Sequence, residues 1–169
     1  MSRFLRVAGI AAILGGALRI ADSFTAGPPA TLALLYMATD VFLLAAIAGL
    51  WLARRGRVDG VWLGLAALGL LMVRASAFGV GSYSAGATVT LIALALFAMN
   101  ALLTRSTAPW APVAWIVALA LGIAGTAGVA PATMTALAGV AFGLGFVAAG
   151  LDMLYGAPQS AHTATSTVT

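Results

Sequence analysis

The chain has 169 residues, of which 63% are hydrophobic and 7% charged, with a formal net charge of +4. Soluble domains average about 45–50% apolar and about 25% charged residues, so this composition excludes a water-soluble core and points to an all-α integral membrane protein. The absence of cysteine excludes disulfides, thiolate metal sites and cysteine nucleophiles.

A membrane-crossing helix needs roughly 20 mostly apolar residues. Six windows meet this: 4–21, 30–53, 60–80, 85–103, 110–128 and 134–155. Together they predict one compact bundle of six transmembrane helices with short connectors over 1–155, followed by a tail at 156–169.

The first window carries Arg3 and Arg6 at its start. This basic start and apolar stretch are also features of a signal peptide. Arg19 interrupts the end of the run, however, and no clean small-x-small cleavage site follows directly, so the segment is expected to stay as a span. Ala8, Ala12 and Gly16 recur every fourth residue, a spacing that lets a neighbouring backbone approach closely; Arg19 and Ser23 continue that face. The connector "DSFTAGPP" begins with Asp22 and leads into the second window, which holds Tyr36, Thr39 and Asp40.

Arg54, Arg55 and Arg57 fill the next connector, "RRGRVDG". The third window has Gly60 and Gly64 at its start and Arg74 in its far part. "RVAG" at 6–9 and "RVDG" at 57–60 give a faint internal echo, best read as chance in an Ala/Gly/Leu-rich chain. After "GVGSYSAG" comes the fourth window, with Asn100 expected to hydrogen-bond across helices. Arg105 lies in the connector "TRSTAP". The fifth window has Ala114, Ala118 and Gly122, and the sixth has Gly139, Gly143 and Asp152. "GLGFVAAG" at 143–150 has the look of a glycine fingerprint, but it lies inside a helix with no strand before it, so it reads as helix packing. The Ser/Thr-rich tail, with the sole histidine His162, is expected to be disordered.

With six spans, Arg3, Arg6, Arg54, Arg55, Arg57 and Arg105 all fall on one side, and the opposite connectors hold no Lys or Arg. The positive-inside rule then places both termini in the cytoplasm. Trp51, Trp62, Trp110 and Trp115 fall near the same boundary, where indoles favour the interface. The basic connectors face anionic lipid, which is why the net positive charge does not imply nucleic acid. The general character is that of a small multi-pass protein of the bacterial inner membrane.

Asp40 lies ten residues past Ala30, about 15 Å into the membrane at 1.5 Å per residue, close to the midplane. Arg74 comes out about 21 Å from the basic edge, within reach of Asp40. Such intramembrane charges face the bundle interior and are paired or functional. Three readings of Asp40 stand: an ionised clamp to Arg74 or Arg19, a neutral acid bonded to Tyr36 or Thr39, or an alternating proton or cation carrier. Two arginines, Arg19 and Arg74, face two acids, Asp22 and Asp40, which favours the clamp.

Enzyme chemistry is not expected. No span contains the His or Cys that haem requires, no His/Cys/Asp/Glu cluster suits zinc or di-iron, and no phosphate loop is present. No cofactor and no metal are expected. The first functional expectation is a structural component or the membrane partner of another protein. The second is a carrier or channel for a small solute or ion, organised around Asp40, Arg74, Arg19, Asp22 and Tyr36.

Overall fold

The computed structural model describes residues 3–26, 28–54, 56–104 and 108–155. Arg55, Arg105 and the tail with His162 lie outside the described residues, and Arg57 is described for its backbone alone. Six helices follow one another: α1 Arg3–Asp22, α2 Pro29–Arg54, α3 Arg57–Ser76, α4 Tyr83–Leu103, α5 Trp110–Thr126 and α6 Pro131–Tyr155. Five are long and apolar enough to cross a membrane; α5, at 17 residues, is shorter. Large apolar side chains face outward at helical spacing, as Val7, Ile10 and Leu14 on α1 and Val61, Leu65 and Leu68 on α3 do. Water would penalise such a surface, whereas lipid accepts it.

The helix ends follow local chemistry. Pro29 and Pro131 open α2 and α6, where a missing N–H leaves no bond unmade. α3 stops at Ser76, four residues before the expected limit, because Gly79 and Gly81 turn the chain with φ of +78° and +83°. Glycine reaches that region without steric penalty. Ser82 then caps α4 by accepting a hydrogen bond from the Ala85 amide.

Each helix packs antiparallel against its chain neighbours, and α6 returns to α1, so the six form a closed up-and-down ring. One end of the ring carries Arg3, Arg6, Arg54 and the start of α3; we call it the basic end. The α1–α2, α3–α4 and α5–α6 turns lie at the opposite end. Glycines set the closest approaches. A Cβ at Gly143 would meet the Gly16 carbonyl at 2.5 Å, and one at Gly150 would meet the Gly9 carbonyl at 2.6 Å, so α1 and α6 touch backbone to backbone. α3 and α4 meet the same way, with a Cβ at Gly86 coming 2.8 Å from the Gly69 carbonyl. The Ala8–Ala12–Gly16 stripe therefore serves internal packing. Gly64 does not: nothing lies within 4 Å of its Cβ position, and it faces outward.

The basic half of the ring is filled. Leu43, Leu50, Leu63, Leu94, Phe97, Trp115, Phe142 and Phe146 form a buried core. Trp115, at 1% exposure, is not at the interface as its sequence position suggested. Its indole packs edge-on against Phe146, with centroids 5.3 Å apart, and at a tilt against Phe97 at 6.0 Å. Gly145 explains the placement: a Cβ there would collide with the indole ring. Trp51 and Trp110 do face outward, and Trp62 is half-buried.

Candidate functional site

Along each cavity-facing stripe the residues change from polar to apolar toward the basic end. On α2 the stripe is Tyr36, Asp40, Leu43. On α4 it is Tyr83, Ala87, Leu91, and on α6 it is Thr135, Gly139, Phe142. The spacings of three or four residues stack these side chains on one helix face. Read from the other direction, α5 gives Leu119, Ile123, Thr126 and α3 gives Leu70, Arg74. All these stripes line one cavity of about 680 Å³, to which α1 adds Arg19 and Asp22. Its floor is Leu43, Leu70, Leu91, Leu119 and Phe142, resting on the aromatic core. At the opposite end the cavity adjoins a second pocket, lined by Arg19, Asp22, Ser23, Tyr36, Tyr83 and Thr135; all of these but Ser23 line both, and we call this end the mouth.

Two ion pairs line the cavity, one at its mouth and one between mouth and floor. Arg19 pairs with Asp22 one turn on, through Nη1 and Oδ2. Arg74 Nη1 on α3 stands 3.9 Å from Asp40 Oδ2 on α2. At that separation the second contact is an ion pair without a direct hydrogen bond. Both arginines lie in the last turns of their helices, where a cation also meets the partial negative charge of the unpaired carbonyls. Gly139 on α6 leaves room for the Arg19 guanidinium, which comes within 3.5 Å of its Cβ position, and the Ser23 hydroxyl donates to the Arg19 carbonyl at 3.1 Å.

The alternatives open to Asp40 are thereby reduced. Thr39 does not bond it; its hydroxyl donates to the Leu35 carbonyl at 2.9 Å. Tyr36 lies beside Asp22 instead. Asp22 is buried, its side chain 2% exposed, yet its Oδ1 has no hydrogen-bond partner among the described residues. A buried, unpaired carboxylate oxygen costs free energy, and here it lines an open space.

A second polar group sits at the basic end. Asn100 Nδ2 on α4 donates to Asp59 Oδ1 on α3 at 2.6 Å. Arg54 at the end of α2 lies 5.9 Å from the centre of the Phe97 ring and close enough to Asp59 and Asp152 to interact electrostatically with both. Asn100 does bond across helices; its partner, Asp59, sits two residues after Arg57 in a charged connector, and nothing in sequence spacing marked it. The cavity hydroxyls Tyr83, Ser84, Thr88 and Thr135 were also unmarked. Their signal was the polar-to-apolar gradient repeated on several helices. Among the described residues, no group of three or more His, Cys, Asp or Glu could hold a metal ion.

No family model matches the chain, and no curated protein or solved structure is significantly similar to it.

Proposed function

We propose that this protein is a six-span carrier for a small solute in the bacterial inner membrane, with both termini in the cytoplasm. Arg19, Asp22, Tyr36, Asp40 and Arg74 line its binding site. The cavity carries this reading. It is of the size of small-molecule sites, about 300–1,000 Å³, draws residues from all six helices, and holds two ion pairs. A bundle whose role is purely structural gains stability by filling such space, so the cavity favours a carrier over a structural component.

The topology rests on charge. The basic end faces the cytoplasm under the positive-inside rule, which makes the cavity mouth external. At 17 residues α5 is about 26 Å long, at the short limit for a span. The present form is then closed on the cytoplasmic side by the aromatic core and by the Asp59–Asn100 and Arg54 contacts.

Labelling tests the topology. The chain has no cysteine, so a single introduced one reports alone. Thr135→Cys at the mouth should react with an impermeant maleimide added to intact cells, and Val58→Cys at the basic end should react only after lysis. Transport is tested by gentle purification in native lipid with mass spectrometry of what co-elutes. A stoichiometric small molecule, taken up by proteoliposomes and lost in Asp40→Asn, supports a carrier. A stoichiometric protein with no small molecule and no uptake would sink the carrier reading in favour of a membrane partner of a complex.

A further inference from the structure

The charges and shape of the cavity define a class of solute. Its lining holds two arginines, Arg19 and Arg74, and two carboxylic residues, Asp22 and Asp40, whose formal charges sum to zero. A simple anion entering would gain two arginines and meet two carboxylates; a simple cation would meet the reverse. Like charges brought together in a desolvated site cost heavily. A solute carrying both charges satisfies both sets. The deep end is mainly apolar, with Leu43 and Leu70 one turn deeper than the Arg74–Asp40 pair, and the Thr90 hydroxyl at that depth donates to the Gly86 carbonyl. The solute must therefore be amphipathic as well.

The open ion pair specifies how compact the charges are. Arg74 and Asp40 stand 3.9 Å apart without hydrogen-bonding each other, so guanidinium donors and carboxylate oxygens are free to take a second partner each. A solute lying alongside the pair, anion against Arg74 and cation against Asp40, completes an alternating square of charges. That arrangement requires the solute's own charges to be about as close together as those of the pair, as they are when an ammonium and a carboxylate sit on one carbon. The unpaired Oδ1 of Asp22 offers an additional acceptor toward the mouth.

We infer that the site, if it binds solute as proposed above, selects a compact amphipathic zwitterion of the α-amino acid type. The carboxylate lies on Arg74, the ammonium on Asp40, and the apolar side chain on the leucine and phenylalanine floor. This deepens the carrier reading and rests on it.

Four probes separate the terms, each titrated against the full chain in lipid nanodiscs. Leucine has both charges and an apolar body, glycine lacks the body, N-acetyl-leucine is an anion, and leucine methyl ester is a cation. Leucine should bind at least about tenfold more tightly than each of the other three. Asp40→Asn should weaken leucine and improve N-acetyl-leucine, reversing their order, and Asp40→Glu should restore it. Equal binding of leucine and N-acetyl-leucine, or of leucine and its ester, overturns the zwitterion assignment, as does failure of all four to bind. The cavity is tested separately with Thr88→Cys. If this cysteine reacts readily with a small uncharged maleimide, the cavity is open and only the solute class has failed. If it does not react, the carrier reading fails with it.

Discussion

Arg74 and Asp40 face one another from adjacent helices, 3.9 Å apart, with the cavity on their open side. The pair is partly exposed, with side chains 26% and 17% accessible. Its attraction is weakened accordingly, and its loss should cost far less than the 3–5 kcal/mol typical of breaking a fully buried pair. Asp40→Asn keeps the shape and strands Arg74. We expect a destabilisation of about 1 kcal/mol, read as a fall in Tm of about 2–4 °C in detergent. Arg74→Leu in the same background removes the stranded charge and should recover most of that fall. Two independent losses that simply add would show that the residues are not coupled.

The α1–α6 seam depends on backbone contact. Gly143→Ala would push a methyl to 2.5 Å from the Gly16 carbonyl, an atom that cannot rotate away. Overpacking of this kind costs about 1–3 kcal/mol. Gly64→Ala is the matched control, since its Cβ meets nothing within 4 Å; it should be neutral or slightly stabilising through helix propensity. Thermal unfolding of the two variants side by side checks the contrast. Equal stability would mean that α1 and α6 can separate without penalty.

Much of this arrangement was legible in the sequence because membrane helices follow simple rules. Length and hydropathy marked the six helices, and proline positions marked their starts. Depth arithmetic put Asp40 and Arg74 within reach of each other. What spacing alone could not supply was rotation about each helix axis. That is why Trp115 was placed at the interface, why Gly64 was grouped with the packing glycines, and why Tyr36 was offered to Asp40 when it turns toward Asp22. The partner of Asn100 was hidden for a related reason. Asp59 lies in the first turn of α3, in what sequence alone presents as a loop.

Trp115 and Gly145 form one packing unit. The indole is fully buried, and its Nε1 has no acceptor among the described residues. Trp115→Phe gives up area but relieves an unpaired donor, a relief of about 1–3 kcal/mol; the two effects should nearly cancel. Trp115→Ala has no such compensation and should cost about 3–5 kcal/mol. Gly145→Ala drives a methyl into the pyrrole ring, 2.6 Å from Cδ1 and 2.9 Å from Cε2, and should cost about 1–3 kcal/mol. The double variant Gly145→Ala/Trp115→Phe should be more stable than Gly145→Ala alone, because phenylalanine vacates that space. Chemical or thermal unfolding of all four proteins decides it, and a double variant worse than either single one would place the clash elsewhere.

The Asn100–Asp59 hydrogen bond ties α4 to α3 at the basic end, and under the proposed carrier function it must break for solute to leave there. A hydrogen bond to a charged group contributes about 1.5–3 kcal/mol, and the lower figure suits this half-exposed pair. Asn100→Ala should therefore shift the balance between closed and open forms at this end by about tenfold. The shift can be read with Thr88→Cys in inside-out vesicles, where an impermeant thiol reagent reaches the cavity only through the basic end. Asn100→Ala should raise the labelling rate severalfold over the Thr88→Cys parent and leave labelling from the mouth unchanged. An unchanged rate from the basic end would mean that the aromatic core, with Trp115 and Phe146 at its centre, holds this end shut without help from Asn100.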